Sequence, residues 1–92
     1  MTLRLTPTAL SDLESLDAYI AEDNPASATA MVDRILTGIE ALKRHPELGR
    51  KGRVAGTREL VVTPYIVVYR SARGAIEILS VIHGARRWPD SF

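Results

Sequence analysis

The chain has 92 residues, 46% of them hydrophobic and 25% charged, with a net charge of +1 and no cysteine. This is enough apolar material for one compact domain with a modest core, so residues 1–92 read as a single unit. The lack of cysteine excludes a disulfide framework and thiolate metal sites, and no stretch approaches the roughly 20 apolar residues of a membrane span.

Thr2-Leu-Arg-Leu5 alternates Leu3 and Leu5 toward one side, as a short strand does. The segment lacks the apolar centre of a secretion signal, so the chain is expected to be mature as it stands and cytoplasmic. Thr6-Pro7 then joins a hydroxyl N-cap to a first-turn proline. Leu10, Leu13, Leu16 and Ile20 recur at three- and four-residue steps and predict a helix over about 7–22, with Asp12, Glu14 and Asp17 on its other face. Asn24-Pro25 repeats the start signal, and Ala28, Met31, Ile35, Ile39 and Leu42 trace a second helix ending near His45-Pro46. The tight link Glu22-Asp-Asn24 makes the pair an antiparallel hairpin.

From Pro46 to Gly56 the chain holds Gly49, Gly52 and Gly56 among Arg50, Lys51 and Arg53, and reads as a loop or short edge segment. Three runs rich in β-branched and aromatic residues follow: Arg58–Val62, Tyr65–Arg70 and Ala75–Ile82. Thr63-Pro64 and Ser71–Gly74 separate them, the signature of a three-stranded antiparallel meander. The predicted fold is α+β in the order β-α-α-β-β-β, with the helical hairpin packed on one face of a small twisted antiparallel sheet.

Charge is unevenly divided. Residues 1–42 hold two arginines against seven acids, a net −5, while residues 43–92 hold ten bases against four acids, a net +6. The acidic part is helical and the basic part is sheet and loop, so either the molecule is electrically two-sided or the charges simply coat a solvated surface. His45 and His83 lie far apart without a paired acid at ligand spacing, and no metal or cofactor is expected. The three glycines read as flexible turns, since no strand precedes them and no helix follows, as a phosphate loop requires. Ser80, His83 and Asp90 make a nucleophile triad only on paper, because Ser80 sits inside a strand with no elbow around it.

The basic side carries the functional signal. Arg58, Arg70, His83, Arg86 and Arg87 lie at or near strand ends together with Trp88, and these six are the candidate contact residues. Guanidinium groups pair with phosphate, aromatic rings stack on bases and a histidine moves protons near neutrality, which suits RNA binding or cleavage. The same set suits an acidic protein partner. On simple strand alternation His83 shares a face with Glu77, Leu79 and Val81, which also fits a hydrogen-bonded structural role. Tyr65 and Tyr69 read as core or rim packing. Direct DNA reading by this chain is not expected, because its long helices are acidic.

Several motifs occur in a specific order: Thr-Pro-x-Ala with Leu10-Ser-Asp-Leu13, then Leu42-Lys-Arg-His-Pro-Glu-Leu-Gly49 and Gly56-Thr-Arg-Glu-Leu60. Tyr65-Ile-Val-Val-Tyr69 and Val81-Ile-His-Gly-Ala-Arg-Arg-Trp-Pro89 complete the series. In these the chain resembles, over nearly its full length, the RelE/ParE superfamily of bacterial type II toxins. The resemblance implies a helical hairpin against a small sheet, and two kinds of target. RelE-like members cleave mRNA on the ribosome with basic residues on the sheet face. Here Ile66 stands at one such position, and Arg58-Glu59-Leu60 offers a single base beside an acid. Those departures favour a ParE-like toxin that binds and poisons DNA gyrase without catalysis. The alternative is a ribosome-dependent endoribonuclease in which His83 acts as acid or base and Arg58 and Arg86 hold phosphate. A binding module without toxicity is a second alternative. The resemblance also implies a cognate antitoxin whose acidic, amphipathic C-terminal segment wraps the toxin, with DNA reached only through that antitoxin.

Overall fold

The computed structural model describes residues 1–84. Local capping chemistry starts both helices. Thr6 Oγ1 accepts the Ala9 N–H at 3.2 Å and opens α1 (Pro7–Ala21), while Asn24 Oδ1 accepts the Ser27 N–H at 3.0 Å and opens α2 (Pro25–Ala41). The same Thr6 hydroxyl lies 2.9 Å from the Ile78 carbonyl, so the cap also ties the start of α1 to the sheet.

The remaining elements are β1 (Thr2–Leu5), β2 (Arg50–Lys51), β3 (Arg58–Val62), β4 (Tyr65–Ala72) and β5 (Ala75–His83), in the spatial order β1-β5-β4-β3-β2. Strands β3, β4 and β5 form the expected antiparallel meander, and β2 is an antiparallel edge within the glycine-rich segment. The sheet is nevertheless mixed. β1 pairs with β5 in parallel, Leu3 opposite Ile76 and Leu5 opposite Ile78. Two parallel neighbours need a long crossover between them, and here everything from α1 to β4 serves as that connection.

The hairpin covers one sheet face. Leu13, Leu16, Ile35, Ile39 and Leu42 meet Tyr65, Val67, Tyr69, Ile76, Ile78 and Val81 in the main core, with Leu3 and Leu5 packed at its edge. The first helix buries Ala9, Leu13 and Leu16; Leu10, expected in that stripe, is 52% exposed. One residue corresponds to about 100° of helix, so the stripe through Ala9 leaves Leu10 turned away from the sheet. On the outer face Ile66, Val68 and Ile82 form a second cluster with Val54 and Leu79. No described helix is long and apolar enough to cross a membrane.

An irregularity interrupts the β4–β5 ladder, where Val68 faces Ser80 but Tyr69 faces Ile78, leaving Leu79 as the extra residue. Ser80 and Val81 consequently both meet α1. Ser80 Oγ donates to Asp12 Oδ2 at 2.7 Å and the Val81 N–H donates to the same oxygen at 2.9 Å. This places Ser80 in a structural clamp.

Tyr69 is fully buried at the centre of the sheet, and its hydroxyl donates to the Pro46 carbonyl and accepts the Gly49 N–H, each at 2.8 Å. Burial raises its pKa above 10.0, with the Gly49 hydrogen bond and the Arg58 charge acting in the opposite direction. The unfolded phenol therefore ionises first. Stability is complete below the ordinary tyrosine value and is lost as pH climbs through the raised one. Tyr69→Phe, which orphans the buried Gly49 N–H and the part-buried Pro46 carbonyl, should lower unfolding free energy in urea by about 1–3 kcal/mol and remove this part of the alkaline loss.

Candidate contact surface

The glycine-rich segment is anchored by an acid. Glu59, in the middle of β3 and 2% exposed, lies on the outer sheet face opposite Arg50. Arg50 Nη2 is 3.1 Å and Arg50 Nε 3.3 Å from Glu59 Oε1, while the Arg53 backbone N–H donates to Oε2 at 3.1 Å. The Arg53 guanidinium is 3.5 Å from that oxygen. Below this pair the segment closes on itself, with Gly52 N–H donating to the Thr57 carbonyl at 2.8 Å and Thr57 Oγ1 donating to Val54 at 2.6 Å. A Cβ on Gly52 would lie 2.2 Å from Thr57 Oγ1. At Gly52 the expectation of a flexible turn is corrected, because the Thr57 hydroxyl and backbone pass too close for a side chain, whereas Gly56, at φ 82°, sits in a turn as expected.

Arg58 leaves β3 on the helix side, as its pairing opposite Tyr69 dictates, and its guanidinium donates to the Gly49 carbonyl at 2.8 Å. Arg70 is on the other face. Its Nε donates to Glu77 Oε1 at 2.7 Å, and Arg4 on β1 pairs with the second oxygen of the same carboxylate. The Arg70 hydrogen bond, helped by the Arg4 and Arg70 charges, holds the Glu77 carboxyl below its usual pKa against the effect of burial.

His83 ends β5 opposite Tyr65, and the two rings meet edge to face, 5.5 Å apart at 79°. The irregularity at Leu79 overturns the simple alternation that grouped His83 with Glu77. Glu77 points to the outer face, whereas Val81 and His83 lie on the side of α1.

The candidates among the described residues thus do not converge. Arg58 and His83 are opposite Tyr69 and Tyr65, four residues apart along β4 or about 13 Å, and Arg70 is on the reverse face. Arg86, Arg87 and Trp88 lie outside the described residues. The arrangement presents two carboxylates, each straddled by two arginines, on the outer sheet face, while Glu14, Asp17, Asp33 and Glu40 are exposed on the hairpin. Such a surface can engage an acidic partner. Glu59 is the residue that sequence reasoning misjudged as mere absence of a base. Its signal was an acid directly after Arg58 at the start of an apolar strand run, with Arg50 and Arg53 within ten residues on the N-terminal side.

Replacing the buried acid is informative. Glu59→Leu leaves Arg50 and Arg53 without their shared anion and should cost about 1–3 kcal/mol in urea unfolding, with faster amide exchange across residues 50–58.

A family model described as the ParE toxin of type II toxin-antitoxin system, parDE, matches residues 3–88. Y4kP of Sinorhizobium fredii is 45% identical over 89 residues, covering 95% of this chain and 92% of that protein. Toxin RelE2 of Caulobacter vibrioides is 39% identical over 79 residues, covering 85% and 89% respectively. Among solved structures, a chain of the chromosomal ParDE system of P. aeruginosa superposes with a TM-score of 0.79 at 27% identity over 90% of this chain and 95% of that one. A chain of the RelBE2 toxin-antitoxin complex of Mycobacterium tuberculosis gives 0.62 at 29% identity, over 89% and 95%.

Proposed function

The chain belongs to the ParE toxin family of type II toxin-antitoxin systems, and from that premise we propose that it is a non-enzymatic inhibitor of DNA gyrase, held inactive in the cytoplasm by a cognate antitoxin. The observation that carries the reading is how the arginines are used. Glu59 occupies Arg50 and Arg53, Glu77 occupies Arg4 and Arg70, and Arg58 is spent on the Gly49 carbonyl. Cleaving RNA through a cyclic phosphate-like transition state needs several converging positive groups free to meet developing charge, and dispersing them forfeits orders of magnitude in rate. A surface of pre-ordered, half-neutralised arginines suits protein recognition instead.

The solved relatives come from ParDE and RelBE2 toxin-antitoxin systems, and a partner of the same kind fits this chain. Its acidic, amphipathic segment would meet the basic outer face, and DNA would be reached through the antitoxin. In this reading Arg86, Arg87 and Trp88 complete the contact surface. The competing reading, a ribosome-dependent endoribonuclease using His83, Arg58 and Arg86, draws on the similarity to Toxin RelE2.

Purified full chain at several-fold excess should block gyrase supercoiling, and the product of the adjacent antitoxin gene should restore it. The same preparation should leave mRNA uncut in a translating extract. Unimpaired supercoiling, or ribosome-dependent cleavage abolished by His83→Ala, would transfer the assignment to the nuclease. The triple variant Arg86→Ala, Arg87→Ala, Trp88→Ala should weaken gyrase inhibition on the order of tenfold or more with an unchanged circular dichroism spectrum.

A further inference from the structure

Where α1 passes the end of β5, the helix side of the sheet opens into a hollow of about 420 Å³. Asp12, Leu16 and Tyr19 line it from α1, at four- and three-residue steps that align them along one side of the helix. Tyr65, Val81 and His83 line it from the sheet. Its floor is apolar, since Leu16 and Val81 are both buried, whereas Tyr19 is 71% exposed. An aromatic ring left so open on the rim of a concave site has surface to offer a ligand.

The carboxylate sets the sign of that ligand. Asp12 Oδ2 is fixed by the Ser80 hydroxyl and the Val81 N–H, both neutral donors. Asp12 takes part in none of the ion pairs among the described residues, and no described lysine or arginine lines the hollow. Among the described residues a phosphate would meet a carboxylate there and no lysine or arginine to receive it. A flat cation on an aliphatic stem satisfies every wall. A guanidinium presents coplanar donors to a carboxylate and its face to an aromatic ring, while its methylenes cover apolar surface.

We infer that this hollow is a socket for an arginine side chain of a partner protein, with the guanidinium donating to Asp12 and lying against Tyr19 and the stem crossing Leu16 and Val81. The socket is separate from the basic outer face and takes the opposite charge. A partner engaging both would carry an acidic segment for one and an arginine for the other. The inference does not depend on gyrase being the target.

Amide and side-chain NMR of the full chain tests it, with N-acetyl-arginine methylamide as the probe and the lysine and citrulline counterparts and adenosine monophosphate as controls. Arginine should bind with millimolar affinity and shift Tyr19, Val81 and His83. Citrulline, which keeps the shape but not the charge, should bind about fivefold more weakly or not at all, and lysine should also be weaker. Asp12→Asn keeps an oxygen for the Ser80 and Val81 clamp but removes the charge, and should cost about fivefold or more. Tyr19→Ala, at an exposed position, should weaken binding without disturbing the fold and carries the test should Asp12→Asn unfold. Equal binding of arginine and citrulline or lysine would overturn the assignment. So would a preference for the nucleotide, shifts elsewhere, or unchanged binding in Tyr19→Ala.

Discussion

The Tyr69 hydroxyl reaches from the centre of the core to the Pro46 carbonyl and the Gly49 N–H, so the segment leaving α2 takes its position from the middle of β4. The approach is close enough to dictate sequence. A Cβ on Gly49 would lie 2.8 Å from the Tyr69 ring and 2.9 Å from the Glu59 carbonyl, and only glycine lets the chain through. With Gly49 fixed, its own carbonyl receives the Arg58 guanidinium, and the next residue, Arg50, comes opposite Glu59. The hydrophobic core and the basic segment are therefore one mechanical unit. A disturbance at the phenol would be felt at the arginines.

That coupling changes what the charge means. Ten bases against four acids in residues 43–92 suggest a mobile positive coat, yet two carboxylates organise four arginines on one sheet face. The arginine ends of these pairs are solvent-exposed, so the pairs around Glu77 contribute little to stability, whereas Glu59 is buried. Their effect is on freedom: a long side chain already held in place gives up less entropy when a partner arrives. Each cluster keeps an excess of one positive charge, so attraction for an acidic partner survives. In the proposed reading, arginines held in this way are less free to swing onto a single phosphate. Recognition and catalysis make different demands on such residues, and in the proposed reading Glu59, from its buried position, holds Arg50 and Arg53 for recognition.

Much of this architecture is legible in the sequence, because helix caps and strand propensity are local. Thr6-Pro7 and Asn24-Pro25 start helices where their side chains receive the Ala9 and Ser27 N–H groups, and the strand runs separated by turn residues do form the meander. The unreadable parts are those set by distant neighbours. The parallel pairing of β1 with β5 joins residues more than 70 positions apart. Leu10 fits a helical stripe as well as Ala9 does until the sheet picks the orientation. The role of Glu59 depends on Arg50 lying across an edge strand of only two residues.

The extra residue at Leu79 had no signal at all, and it governs the candidate site. Strict alternation would turn Val81 and His83 to the outer face, among Glu77 and Arg70. The irregularity turns them inward, and Asp12 holds it from α1 by accepting from both Ser80 and Val81. One carboxylate on a helix therefore decides that the histidine meets Tyr65 and lies beside the α1 hollow rather than joining the arginines. The point where β5 leaves the sheet is fixed as well, because the Gly84 N–H donates to the Pro64 carbonyl at 2.7 Å. The same register choice puts His83 on the helix side, from which Arg58 also leaves β3, but the two remain about 13 Å apart along β4. The helix side of the sheet gains a site of its own, opposite in charge to the outer face.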